Sequence, residues 1–162
     1  MADLHERIPK EMFQGMIRPM IRALSTRMVI IRLNESARCA IPRQTKLPDL
    51  MPKLEALCYE QKRAKVGEEL ERLWELYFES RMQDEDGTFS KLSDELNEML
   101  EEDQVPADED KRKEVRKTIQ KIVAYLEESE FGPEEIEAVF RFKAFPDVLA
   151  LYLEDFGKAA TA

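Results

Sequence analysis

Apolar residues recur along this chain at three- and four-residue intervals, and strict alternation is nowhere sustained. Phe13, Ile17, Met20, Leu24 and Ile31 fall near helical spacing, so a first helix over about 10–34 carries an apolar side that suits either a core or a partner. Pro19 lies inside that stretch and predicts a kink or a break, because proline removes an amide donor. Two prolines in 35–48 predict a loop. A second helix follows over about 49–82, with Pro52 compatible with its first turn. Its apolar stripes are Leu50, Leu54, Leu57 and Cys58, then Val66, Leu70, Leu73, Trp74 and Tyr77. The polar run Gln61-Lys62-Arg63-Ala64-Lys65, with Gly67 just beyond, marks a bend between them. Trp74 and Phe78 are the expected anchors of the core.

Residues 83–88 read as a turn, and a third helix spans about 90–102 with Leu92, Leu96, Met99 and Leu100 on one side. After an acidic connector, a fourth helix over about 108–130 buries Val115, Ile119, Ile122, Val123 and Leu126. Gly132 is expected to end it in a left-handed cap conformation. Pro133 and Pro146 open the fifth and sixth helices. Ile136, Val139, Phe140 and Ala144 form the inner side of the fifth; Val148, Leu149, Tyr152 and Phe156 form that of the sixth. Gly157 stops the last helix, and 158–162 are expected to fray. The expected fold class is all-α: a compact bundle of about six helices with a long N-terminal helix. The expected organisation is a single helical domain over 1–162, with a subdivision into a basic helical hairpin, 1–82, and an acidic helical bundle, 83–162, as the alternative.

Charge alters this picture more than composition does. The 162 residues carry 25 basic and 34 acidic side chains, net −9. Residues 1–65 hold 13 basic and 7 acidic, net +6, and residues 66–162 hold 12 and 27, net −15. Such asymmetry suits three arrangements: oppositely charged surfaces pairing between or within chains, a basic part on an anionic partner, or an acidic part on a basic one. Charged helix exteriors that serve solubility alone are the plain alternative. The start of the chain lacks the basic flank, apolar run and cleavage site of a signal peptide. The run Met28-Val29-Ile30-Ile31 is too short to span a bilayer. With two cysteines, Cys39 and Cys58, a disulfide scaffold and a four-thiolate zinc site are excluded, and a cytoplasmic setting is expected.

Candidate chemistry is sparse. Asp84-Glu85-Asp86-Gly87-Thr88-Phe89-Ser90 resembles the middle of an EF-hand calcium loop. With Gly87 at the sixth loop position, however, Met82 and Ser93 occupy the first and twelfth, where oxygen ligands are needed. A structural turn, with Ser90 or Ser93 capping the next helix, is the expected reading. Glu95, Glu98, Glu101 and Glu102, with Glu127, Glu128 and Glu130 further on, superficially resemble the paired acidic motifs of all-helical nucleotide pyrophosphatases, which hold Mg²⁺ against phosphates. The first motif lacks its leading pair of Glu and the second its final Asp. No phosphate loop, dinucleotide fingerprint or Gly-x-Ser-x-Gly occurs. The single histidine, His5, is expected to be a solvated terminal residue and cannot supply a di-iron carboxylate bundle.

By subtraction, the expected function is a non-enzymatic helical protein–protein interaction module, a regulatory, adaptor or assembly factor, with a homodimer among its forms. No cofactor, metal or membrane is expected. The first helix combines apolar residues with arginines, so Phe13, Met16, Ile17, Met20, Arg18 and Arg22 are the expected partner-binding residues. One alternative is a nucleic-acid-associated protein using Arg18 to Lys65 against phosphates. The other is a metal-dependent all-α nucleotide phosphohydrolase.

Overall fold

The computed structural model describes residues 3–82, 84 and 86–157, all helices, turns and loops apart from one isolated bridge between Glu101 and Gln104. Packing divides the chain into two compact units, Met1–Gln83 and Asp84–Ala162. The expected frayed tail lies outside the described residues, as do Gln83 and Glu85 of the acidic turn. No helix is long and apolar enough to cross a membrane among the described residues.

The first unit contains α1 (Leu4–Arg7), α2 (Lys10–Leu24), α3 (Thr26–Ala37), α4 (Leu47–Glu55), a π-helical turn (Ala56–Glu60) and α5 (Ala64–Met82). The expected single helix over 10–34 is therefore two. Pro19 stays inside α2, and the break falls six residues later at Ser25. The carbonyl deprived of a donor by Pro19 belongs to Gly15, one turn earlier, so the cost is one hydrogen bond rather than the helix. Ser25 adopts φ 96° and ψ 135°, which turns the chain, and its hydroxyl accepts the Met28 N–H at 3.1 Å to cap α3. The expected bend near 61–67 is also present, and its form is a π turn: the Gln61 N–H reaches back five residues to the Ala56 carbonyl at 2.9 Å. Lys62, at φ 51°, then redirects the chain into α5.

Helix α5 is the centre of this unit. Helices α1, α2 and α3 all pack on it, and α2 also packs on α4. Trp74 is fully buried and stacks on Phe78 with ring centroids 5.3 Å apart. Helix α1 approaches so closely that a Cβ on Gly67 would lie 3.0 Å from the Leu4 Cβ. Arg7 ties that contact to Glu71 at 2.6 Å. The α3–α4 loop is held by Asn34, whose amide both donates to and accepts from the Ile41 backbone, at 2.9 and 2.8 Å.

The second unit contains α6 (Thr88–Glu98), α7 (Glu109–Glu128), α8 (Pro133–Lys143) and α9 (Pro146–Phe156). Helix α7 packs against the other three, and α8 against α9. Asp108 caps α7 by accepting the Lys111 N–H at 3.1 Å. Asp147, in the first turn of α9, accepts the Val105 N–H at 3.0 Å and so fixes the acidic connector. Phe140 stacks on Tyr152 at 4.2 Å, and burial raises the Tyr152 hydroxyl pKa. Gly132 does not take the expected left-handed conformation. Its φ is −77°, and Glu130, at φ 66°, turns the chain instead, two residues earlier. Gly132 opens α8, donating its N–H to the Glu135 carboxylate at 3.1 Å.

Candidate interaction surface

The apolar face of α2 is consumed by the fold. Phe13, Met16, Ile17 and Met20 all have 0% exposure. Phe13 meets the edge of Tyr59 at 5.4 Å, and the Tyr59 hydroxyl donates to the Ile8 carbonyl at 2.6 Å. These four expected partner-binding residues lie inside the first unit. A stripe that packs against α4 and α5 leaves no area to present. Arg18 is half-buried and donates to Gln14 at 3.1 Å, while Gln14 donates to Glu55 of α4 at 2.9 Å. It thus belongs to a tether between helices. Of the six expected residues only Arg22 stands in solvent.

Arg22 is the first of a series. Arg22, Arg27, Arg32, Arg38, Arg43, Lys46, Lys53, Lys62 and Lys65 are all exposed. None pairs with an acid among the described residues. On α3 the arginines leave the helix away from its buried side, which carries Val29, Ile30, Leu33 and Ala37. Residues 22–65 hold ten basic and four acidic side chains, net +6. One of the four acids, Glu55, is already engaged by Lys10 at 3.8 Å and by Gln14. In the second unit several cations do find acids: Lys111 with Glu101, Arg116 with Glu154, and Arg141 with Glu137, at 3.2, 2.7 and 2.9 Å. Acids remain in excess there, with residues 84–110 holding twelve against one lysine.

The sites expected for metal chemistry do not assemble. Asp84 spends its carboxylate on helix α6, where Oδ1 accepts the Phe89 N–H at 3.0 Å and Oδ2 accepts the Ser90 N–H and hydroxyl at 3.1 and 3.0 Å. The Tyr125 hydroxyl adds a fourth donor at 3.4 Å. Burial opposes the carboxylate charge, but these hydrogen bonds outweigh it and hold the Asp84 pKa below its ordinary value. The loop is a capped turn, as the missing outer ligands predict. Gly87, at φ 71°, supplies its left-handed position. Asp94, Glu95 and Glu98 project into solvent from α6, and no metal-ligand cluster of three includes them among the described residues. Among the described residues such a group forms from Asp3, His5 and Glu6, with ligand atoms within 4.8 Å of one another. His5 thus sits on the one-turn helix α1, half-buried, and not in a solvated tail. Glu6 there accepts the Asp3 N–H at 3.3 Å.

Neither thiol is activated. Burial raises the Cys39 pKa, with the Arg63 charge opposing, and burial followed by the Cys39 charge pushes Cys58 up to about 12. Both are protonated at neutral pH and pack as small apolar groups. An apolar groove of about 60 Å³ opens between α6, α7 and α8, lined by Phe89, Leu96, Ile122, Val139 and Phe140. Typical small-molecule sites are about 300–1,000 Å³, so this one has room for little more than a side chain.

The chain matches no family model, no curated protein and no solved structure.

Proposed function

We propose that this protein is a non-enzymatic helical interaction module, a regulatory, adaptor or assembly factor, and that it engages protein partners through the outer surface of α2, α3 and α4. One observation carries the reading. The fold uses up its apolar stripes internally, leaving Leu76, at 49%, as the exposed large hydrophobic among the described residues, while the cations of 22–65 other than Arg63 stand exposed without an acid partner among those residues. What remains for a partner is charge. Arginine favours carboxylate partners because its planar fork bonds both oxygens at once.

The test is affinity capture from the native cell with identification of what is retained, followed by binding of the purified partner. Wild-type chain retains a partner that Arg22→Glu/Arg27→Glu/Arg32→Glu releases, and the purified pair weakens with salt. Equal capture by both proteins rejects the surface.

A second reading uses the same cations against nucleic-acid phosphates. It predicts retardation of duplex DNA or RNA with affinity falling steeply as salt rises. Repulsion from the acidic unit opposes it, as does the absence of exposed aromatic rings in this stretch for stacking on bases.

A further inference from the structure

We propose that Asp3, His5 and Glu6, on α1 and the residue before it, bind a zinc-like divalent cation, with two carboxylate oxygens and one imidazole nitrogen as ligands. The inference stands independently of the basic surface described above. One ligand atom from each of the three side chains lies within 4.8 Å of those from the other two. The local backbone explains why they meet. Asp3 is the N-cap of α1, at φ −73° and ψ 160°, and a side chain at that position folds back over the first helical turn, where His5 and Glu6 stand. Glu6 accepts the Asp3 N–H at 3.3 Å, which closes the turn. That turn is itself fixed to the rest of the first unit. Leu4 packs on Gly67, Arg7 pairs with Glu71 at 2.6 Å, and the Tyr59 hydroxyl donates to the Ile8 carbonyl at 2.6 Å. The ligand-bearing residues therefore sit on backbone anchored to α5 and to the π turn.

The group is short of positive charge. Neither carboxylate enters an ion pair among the described residues, and Arg7, next in the chain, turns to Glu71. Two neighbouring carboxylates repel, and a divalent cation between them removes that repulsion. The donor set names the cation. One imidazole with two carboxylates suits zinc, whereas magnesium and calcium favour shells of oxygen alone. Zinc at about 2.0–2.2 Å from each ligand would set the three ligand atoms about 3.3 Å apart, so from 4.8 Å they close by about 1.5 Å at most. Rotation about side-chain bonds covers that distance. Three protein ligands leave the fourth tetrahedral position to water or to a donor from another molecule.

The experiment is titration of the full chain, free of any histidine tag, with zinc chloride, followed by calorimetry and by the imidazole proton signals in NMR. His5 is the single histidine, so those signals report on this group alone. Wild type is expected to bind one zinc per chain, with the His5 signals shifting in step with the heat, and to give no response to magnesium chloride at the same concentration. His5→Ala and, separately, Asp3→Asn/Glu6→Gln are each expected to weaken zinc binding about tenfold or more. The wild-type His5 signals decide the matter even if a variant loses helicity. Signals that stay in place while zinc binds put the metal elsewhere on this acidic chain and overturn the inference. So does the absence of zinc binding, an equal response to magnesium, or undiminished binding by either variant with its helicity intact.

Discussion

The two halves of this protein solve the same packing problem and treat their charge in opposite ways. Unit Met1–Gln83 has 15 basic and 12 acidic side chains, net +3, and unit Asp84–Ala162 has 10 and 22, net −12. In each, a long helix packs against three other helices, α5 with Trp74 at its centre and α7 with Ile119 and Leu126. In the first unit, acids such as Glu71 and Glu69 pair close to α5, with Arg7 and Arg72, and the outer cations stay bare. In the second, acids serve backbone amides, as Asp84, Asp108 and Asp147 do, and the surplus faces water. The contrast teaches that net charge alone says little about a surface. What matters is which charges the fold has already engaged.

The largest effect expected concerns the core of the first unit. Trp74→Ala should cost about 3–5 kcal/mol and Ile17→Ala about 2–5 kcal/mol in denaturant unfolding, since both side chains are fully buried. A partner-facing Ile17 would lose association and little stability, so this pair of measurements separates core from interface directly.

Asp84→Ala in the second unit should cost about 1 kcal/mol at pH 7, the usual worth of a helix cap. Its pH dependence has a definite sign. The folded pKa of Asp84 is depressed, so its contribution is complete above the ordinary carboxylate value near 4 and is lost as pH falls through the lower folded value. Urea unfolding of wild type and variant should therefore differ at neutral pH and converge in acid. A constant difference across that range contradicts the assignment.

The smallest stability effect is expected on the bare cations. Arg22→Glu/Arg27→Glu/Arg32→Glu should change unfolding by no more than about 0.5 kcal/mol per site, because exposed groups without partners have little to lose. A large loss would show that these arginines hold the first unit together, which would erase the contrast between the units.

Much of the fold was legible along the chain. Helical spacing marked the buried side of α2, α5 and α7, while on α6 only Leu96 of the expected stripe is buried and on α9 Leu151 is buried in place of Leu149 and Phe156; Pro133 and Pro146 opened α8 and α9, and Gly157 closed the last one. Breaks were less legible. Pro19 is a strong local signal yet sits within α2, while Ser25, an ordinary residue in the sequence, carries the turn. Whether a helix continues depends on what its next turn packs against, and α3 finds α5 only after the chain turns. The short helix α1 was missed because four residues show no periodicity; its signal is Gly67, the small residue that admits it.

By itself, the sequence determined the helical class, the composition of the core and the uneven distribution of charge, because spacing and charge are properties of residues taken in order. Only the tertiary structure decided that the α2 stripe lies inside, that Asp84 caps a helix, and that Arg63 turns inward to the Ala37 carbonyl while the other cations of 22–65 stand exposed. The reason is physical. Burial and pairing depend on which side chains from distant segments arrive at the same place, and an amphipathic stripe reads the same whether it meets its own chain or another.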